Sequence, residues 1–187
     1  MILYVKNMVC DRCIMIVKQQ VEHIGLNVTD ISLGKVSIQP EPSATQLQSL
    51  SSAFQLLGFE LIDKEKDQLV EQIKNEVINL VHYSDLSEIN QSLVHMVADR
   101  LNKDQAYISR QFSSNEGVTI EKYIISQKIE KVKELLEYGD LNLNEIASKM
   151  GYSSSAHLSA QFKSVTGLSP TNYRSSSTQQ RSPLDQL

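Results

Sequence analysis

The chain has 187 residues, 41% of them hydrophobic and 21% charged, with no Trp and few Gly or Pro. That length holds one large domain or two small ones, and the composition is that of an ordinary globular protein. No apolar run approaches the ~20 residues that span a bilayer, which argues against a membrane protein, and a formal charge of −4 argues against indiscriminate polyanion binding.

The start, Met1-Ile2-Leu3-Tyr4-Val5-Lys6, lacks a basic segment followed by an apolar core and a cleavage site. It therefore reads as mature structure, and the protein as cytoplasmic. Leu3 and Val5 alternate with polar neighbours, as in a half-buried strand. Ile14, Val17, Val21 and Ile24 then recur at helical spacing up to Gly25. Two β-rich runs follow, Val28 to Leu33 and Lys35 to Gln39, with Gly34 placed for a hairpin turn. Beyond Pro40 and Pro42, Ser43 precedes a second amphipathic run with Leu47, Leu50, Phe54 and Leu57. Gly58 ends it, and Phe59 to Ile62 reads as a last strand. The order β-α-β-β-α-β is the split arrangement of ferredoxin-like domains. We therefore expect an α+β protein with such a domain over 1–63.

A linking helix is predicted over 64–84, with Leu69, Ile73, Val77 and Leu80 or Val81 as its apolar stripe. That stripe reads as core or as a dimer seam. Tyr83 to Ser87 reads as a turn and helix start, and the pattern stays helical to Tyr173. The polar segment 175–187 reads as a disordered tail.

The strongest signal is an internal repeat. Ile108-Ser109-Arg110-Gln111-Phe112 recurs as Leu158-Ser159-Ala160-Gln161-Phe162, and Ser114, Gly117, Val118 and Thr119 pair with Ser164, Gly167, Leu168 and Ser169. Upstream, Val97-Ala98 with Leu101 echoes Ile146-Ala147 with Met150, at an offset one residue shorter, so the second turn carries an extra residue. Each unit reads as helix, turn, helix. Asp104 caps the second helix of the first unit, Asn142 and Glu145 form a capping box, Gly151 suits a C′ position, and Ser153 or Ser154 caps the last helix. Between the units, Thr119 to about Tyr138 is one helix, with Ile125, Ile129, Val132, Leu135 and Leu136 on its apolar side. Twenty helical residues span roughly 30 Å, close to the ~34 Å between successive major grooves on one face of DNA.

Helix phase nominates the outward residues. With Ile108 and Phe112 inward, Gln105, Ala106, Ser109, Arg110 and Ser113 point out; in the second unit the set is Ser155, Ala156, Ser159, Ala160 and Lys163. Arg110 suits a bidentate guanine contact and Gln105 an adenine contact, whereas Ser and Lys more often meet phosphates. Charge alone would not point to DNA: residues 1–82 carry seven Lys/Arg against ten Asp/Glu, and 83–174 ten against eleven.

Residues 85–174 resemble the DNA-binding domain of the AraC/XylS family. The resemblance is carried by the paired units, the connector helix, Glu145-Ile146-Ala147-x-x-Met150-Gly151-Tyr152 and Gly167-Leu168-Ser169-Pro170-x-x-Tyr173-Arg174. It implies sequence-specific binding to double-stranded DNA and transcriptional control, with RNA polymerase and a second copy of the chain as further candidate partners. The chain departs from that family at Ala160, where relatives often carry Arg, which weakens the expectation of base readout in the second unit.

Cys10 and Cys13 are the only cysteines, and their spacing is that of ligands or a redox pair rather than a structural staple. They lie where the first strand gives way to the first helix, whose positive end, with Arg12, favours thiolates. Two thiolates on one turn suit a soft ion such as Cu(I), whereas Zn(II) prefers four ligands. Met8-x-Cys10-x-x-Cys13 and Leu57-Gly58-Phe59-Glu60 resemble heavy-metal-associated domains, in which both cysteines bind metal; Asn7 stands where those relatives usually carry Gly. No metal is needed for the fold. His23 and His82 read as surface or structural residues.

No Ser/His/Asp, paired-carboxylate or phosphate-loop constellation appears, so an enzyme is not expected; a thiol oxidoreductase is the sole enzymatic reading left. The sequence thus reads as a DNA-binding regulator responsive to a soft metal. Two rivals stand beside it: a chaperone-like metal-handling protein whose helical half binds a protein partner, and a constitutive regulator whose front domain only dimerises.

Overall fold

β1 (Ile2–Lys6) places Leu3 and Val5 inward and leaves Tyr4 and Lys6 half-buried, the period of two that the sequence shows. The computed structural model describes residues 1–63, 65–89, 91–175 and 181–187, and divides into two units, Met1–Asn75 and Glu76–Leu187.

In the first unit α1 (Asp11–His23), β2 (Asn27–Ser32), β3 (Lys35–Gln39), α2 (Ala44–Leu56) and β4 (Glu60–Leu61) follow β1. The four strands form one sheet in the order β2-β3-β1-β4, with every neighbouring pair antiparallel. Gly34 makes the β2–β3 turn possible at φ +73, between Ser32 and its partner Lys35. Ser43 closes a capping box with Gln46 at the start of α2. Val17 and Val21 of α1, with Leu50 and Phe54 of α2, bury against Leu3, Val5, Val36 and Ile38 of the sheet. Leu57, expected on the apolar stripe of α2, instead caps its end and is 46% exposed, because the helix stops one residue earlier.

α3 (Glu65–Tyr83) begins in the first unit and ends in the second, so the helix expected over 64–84 contributes to both. Lys64, its expected first residue, lies outside the described residues. The helix predicted to start near Ser87 begins only at Leu93. Asp85 folds its carboxylate back on the Ser87 N–H at 2.9 Å, a local turn that competes with helix, and Ser92 supplies the cap.

The second unit then runs α4 (Leu93–Arg100), α5 (Gln105–Glu116), α6 (Ile120–Tyr138), α7 (Leu143–Lys149), α8 (Ser155–Thr166) and α9 (Pro170–Ser175), with a 3₁₀ turn at Leu184–Gln186. Asp104, Thr119, Asn142 and Ser154 each accept a backbone N–H at the start of the helix they precede. Of the tail expected to be disordered, 175–187, residues 176–180 lie outside the described set. The remainder departs from that expectation: Arg181, Ser182 and Leu184 hydrogen-bond to α6. No helix among the described residues is long and apolar enough to cross a membrane.

Candidate functional site

The repeat is a structural duplication. α4 and α5 are separated by four residues, 101–104, and α7 and α8 by five, 150–154, so the extra residue falls in the second turn. In each unit a small buried alanine, Ala98 or Ala147, sits on the first helix. The second helix is anchored by Ile108 and Phe112 in one unit and by Leu158 and Phe162 in the other, all fully buried. Each phenylalanine packs on a tyrosine of the next helix: Phe112 on Tyr123 with centroids 5.3 Å apart, Phe162 on Tyr173 at 5.4 Å. Tyr123 and Tyr173 keep the fifty-residue offset of the repeat, a signal present in the sequence.

With those anchors inward, the nominated residues take the outward faces. Gln105, Ala106 and Arg110 of α5 are exposed, and Ser109 and Ser113 half-buried. On α8, Ala156, Ala160 and Lys163 are exposed, and Ser155 and Ser159 half-buried. The Ser159 hydroxyl donates to the Ser155 carbonyl at 2.7 Å, which leaves its oxygen to act only as an acceptor. Two ring side chains share these faces and were missed: exposed Tyr107 on α5 and, fifty residues on, exposed His157 on α8. Both lie one position before an inward anchor, Ile108 and Leu158.

The second turn is further braced. Tyr152, buried, donates to Gln161 Oε1 at 2.7 Å and meets His157 edge-on at 5.3 Å. Lys128 of α6 places Nζ 4.1 Å from the centre of the Tyr152 ring, and burial pulls its ammonium down to about 8. α6 therefore supports α8 from beneath.

α6 also carries two polar side chains that the sequence did not mark as buried. Gln127 is fully buried: its Oε1 pairs with His82 Nε2 at 2.8 Å, and its Nε2 donates to Tyr123 Oη at 3.0 Å and to Leu184 O at 3.1 Å. Glu130, 1% exposed, accepts from Lys133 at 2.9 Å, from Arg181 at 3.1 Å and from the Ser182 N–H at 3.0 Å. Arg181 reaches Glu134 at 3.2 Å as well. Buried charge and amide are thus satisfied by residues of the tail. Ile125, expected on the apolar side, is only half-buried, and Ile124 takes the buried position instead.

In the first unit Cys10 precedes the first residue of α1, and its Sγ lies 3.4 Å from Cys13 Sγ. Both are free and half-buried. Burial acts to raise both thiols; at Cys10 hydrogen bonds from the Cys13 and Arg12 backbone outweigh it and the thiol falls below its ordinary value, whereas Cys13 rises. The loop is pinned behind the pair. Asn7, at φ +70, donates its N–H to Glu71 Oε1 at 3.1 Å and its Nδ2 to Gly58 O at 2.8 Å, and Met8 is fully buried. No group of three or more His, Cys, Asp or Glu able to hold a metal ion occurs among the described residues.

The architecture of the second unit, two helix-turn-helix repeats with matched outward faces on either side of one helix, defines a tandem helix-turn-helix domain. Residues 97–176 match the family model described as a helix-turn-helix domain. The chain is 27% identical over 113 residues, 60% of its length and 14% of the other protein's, to the uncharacterized HTH-type transcriptional regulator YtdP of Bacillus subtilis. It is 27% identical over 143 residues to the Msm operon regulatory protein of Streptococcus mutans, with 72% of this chain and 50% of that one covered. Among solved structures it is similar to the C-terminal domain of AraT, a response regulator from Geobacillus stearothermophilus, at 28% identity and a TM-score of 0.50, over 59% of this chain and 87% of that one. The chain spans half or less of the length of these two curated relatives.

Proposed function

We propose that the protein is a sequence-specific transcription regulator of the AraC type that reads double-stranded DNA through α5 and α8. The observation that carries this reading is the matched phase of the two repeated helices, each holding its anchors inward and a polar set outward. On this reading Arg110 and Gln105 contact base edges, and Ser109, Ser113, Ser155, Ser159 and Lys163 contact backbone, beside Ala106 and Ala156. The similarity to proteins named as transcriptional regulators supports it. Such a reader acts in the cytoplasm, with RNA polymerase or a second copy of the chain as further partners.

The front unit is read as ferredoxin-like, supported by its element order and the strand order β2-β3-β1-β4. We read Cys10 and Cys13 as a two-thiolate site for a soft ion such as Cu(I). Their 3.4 Å separation and the absence of a further ligand cluster among the described residues favour low coordination over a four-ligand zinc site. Sensing requires the ion to bind two states of the protein with different affinity.

The test is selection of genomic fragments by the full chain at fixed salt, without metal and with Cu(I) under reducing conditions. Retention of a few fragments, shifted by metal, is the expected result. Selective retention that ignores Cu(I) keeps the reader and removes the sensor, leaving the constitutive regulator. No selective retention in either state overturns the reading in favour of a metal-handling protein.

A further inference from the structure

The two sulfurs that the function above uses only as ligands are also placed to react with each other. Cys10 Sγ and Cys13 Sγ are 3.4 Å apart before any bond is made. A disulfide needs an S–S distance of about 2.05 Å. Closing the pair takes on the order of 1.4 Å, within reach of side-chain rotation. The backbone on both sides is already fixed. Asn7 and Met8 are pinned by the bonds to Glu71 and Gly58 and by burial, and Cys13 sits in α1 with its N–H bonded to Cys10 O at 2.9 Å. Little chain entropy is left to lose, so the intramolecular bond has a high effective concentration behind it. The two cysteines are half-buried rather than enclosed, which leaves the pair open to a small reagent.

We propose that Cys10 and Cys13 form a reversible dithiol–disulfide couple that exchanges with low-molecular-weight disulfides such as oxidised glutathione. In the first step one cysteine, as its thiolate, attacks a sulfur of the small disulfide; a protein–glutathione S–S bond forms and one glutathione thiolate leaves. In the second step the other cysteine attacks the protein sulfur of that mixed disulfide, forming the Cys10–Cys13 bond and expelling the second glutathione thiolate. Two protein thiols are oxidised, one disulfide is reduced to two thiols, and the two protons pass to the leaving thiolates. The closed form has no thiolate to offer a soft ion, so oxidation and metal occupancy exclude each other. The couple goes beyond the DNA-reading function and does not depend on it.

The test uses the full chain equilibrated in glutathione buffers of stepped oxidised-to-reduced ratio, quenched in acid and read by intact mass and thiol count. Cys10→Ser and Cys13→Ser variants run in parallel. The expected product is an intramolecular disulfide with both thiols lost and no glutathione attached, reversed by dithiothreitol. Each single-cysteine variant should carry glutathione instead, and need at least roughly tenfold more oxidising buffer for half conversion, since it lacks the intramolecular second step. Two thiols that persist in excess oxidised glutathione would overturn the proposal, as would a doubly glutathionylated chain or a disulfide found only between chains. None of these readouts involves DNA or metal, so failure here leaves the DNA-reading function untouched and its failure leaves the couple untouched.

Discussion

Replacing Gly151 with alanine separates two costs that the second helix-turn-helix unit avoids by having no Cβ there. Gly151 follows α7 at φ +66, and a Cβ built on it would lie 2.9 Å from Leu86 O and 3.3 Å from Leu86 Cβ. The left-handed conformation alone costs a non-glycine residue about 1–2 kcal/mol. The contact adds about 1–3 kcal/mol, the range for overpacking, because Leu86 has no cheap way to retreat. Its carbonyl is backbone, its N–H bonds Lys149 O at 3.2 Å, and its side chain is 2% exposed. The sum is about 2–5 kcal/mol. Gly167→Ala is the control: φ is +79, with no atom within 4 Å of the added Cβ, so only the first cost applies. Urea unfolding followed by helical circular dichroism should place Gly151→Ala about 1–3 kcal/mol below Gly167→Ala at unchanged m. Equal loss in the two variants would refute the claim that the Leu86 contact fixes this turn.

In gel shifts, Arg110→Ala should cost about 1–3 kcal/mol on the selected sequence and relax specificity, while Lys163→Ala should weaken selected and random DNA alike. Equal loss on both DNAs for both variants would remove the division of labour. Arg181→Ala leaves Glu130 buried with Lys133 and the Ser182 N–H as its partners among the described residues; since removing a whole partner costs about 3–5 kcal/mol, we expect about 1–3 kcal/mol here, read in a double-mutant cycle with Glu130→Gln. An additive cycle would show that the Arg181 contact carries no energy. Burial holds the His82 imidazole below its ordinary value, so the unfolded chain takes up this proton first and stability falls as pH drops through about 6.5. Burial pushes the Glu134 carboxyl up, but the hydrogen bond and charge of Lys131 and the charge of Arg181 hold it below the carboxylate range, and that contribution is lost at lower pH, below about 4.3. Urea midpoints measured from pH 8 to 5.5 should therefore fall in the wild type and stay flatter in His82→Gln; a flat wild-type profile contradicts the burial argument.

What was legible in the sequence was local. Asp104, Thr119, Asn142 and Ser154 announce helix starts because capping needs only a short polar side chain and an N–H two or three residues on. The repeat was legible because equal offsets of apolar anchors place equal faces outward. Gln127 and Glu130 were not, since besides the local Tyr123 and Lys133 they bond partners 45 to 57 residues away, in His82, Arg181, Ser182 and Leu184. A polar residue on a helix looks solvated until something distant covers it. The same blindness made 181–187 look like free tail: its composition is that of disorder, and only the acidic face of α6 gives its arginine a place. The Cys pair was visible as a spacing, whereas the pinning of its loop by Glu71, 64 residues downstream of Asn7, was not.

The two helices proposed to read DNA are built alike and charged differently, and on that proposal the difference bears on the kind of DNA site they select. Arg110 on α5 corresponds to Ala160 on α8, and Ser113 corresponds to Lys163, so α5 and α8 each carry one Lys or Arg but at positions three residues apart. An alanine has no donor for a base edge, and a lysine is a point charge suited to phosphate, so the proposed function has α5 read and α8 hold. α6, with 19 residues, is on the order of 28 Å long, near the spacing of successive major grooves, so base readout by one helix fixes where the other meets the backbone. On the proposed function α5 and α8 together bring only Arg110 and Lys163, so phosphate neutralisation by these two helices contributes little at a salt slope of about −0.9 for each phosphate contacted. If the proposed base contacts of α5 carry the selectivity, the selected site has one strictly specified half and one permissive half.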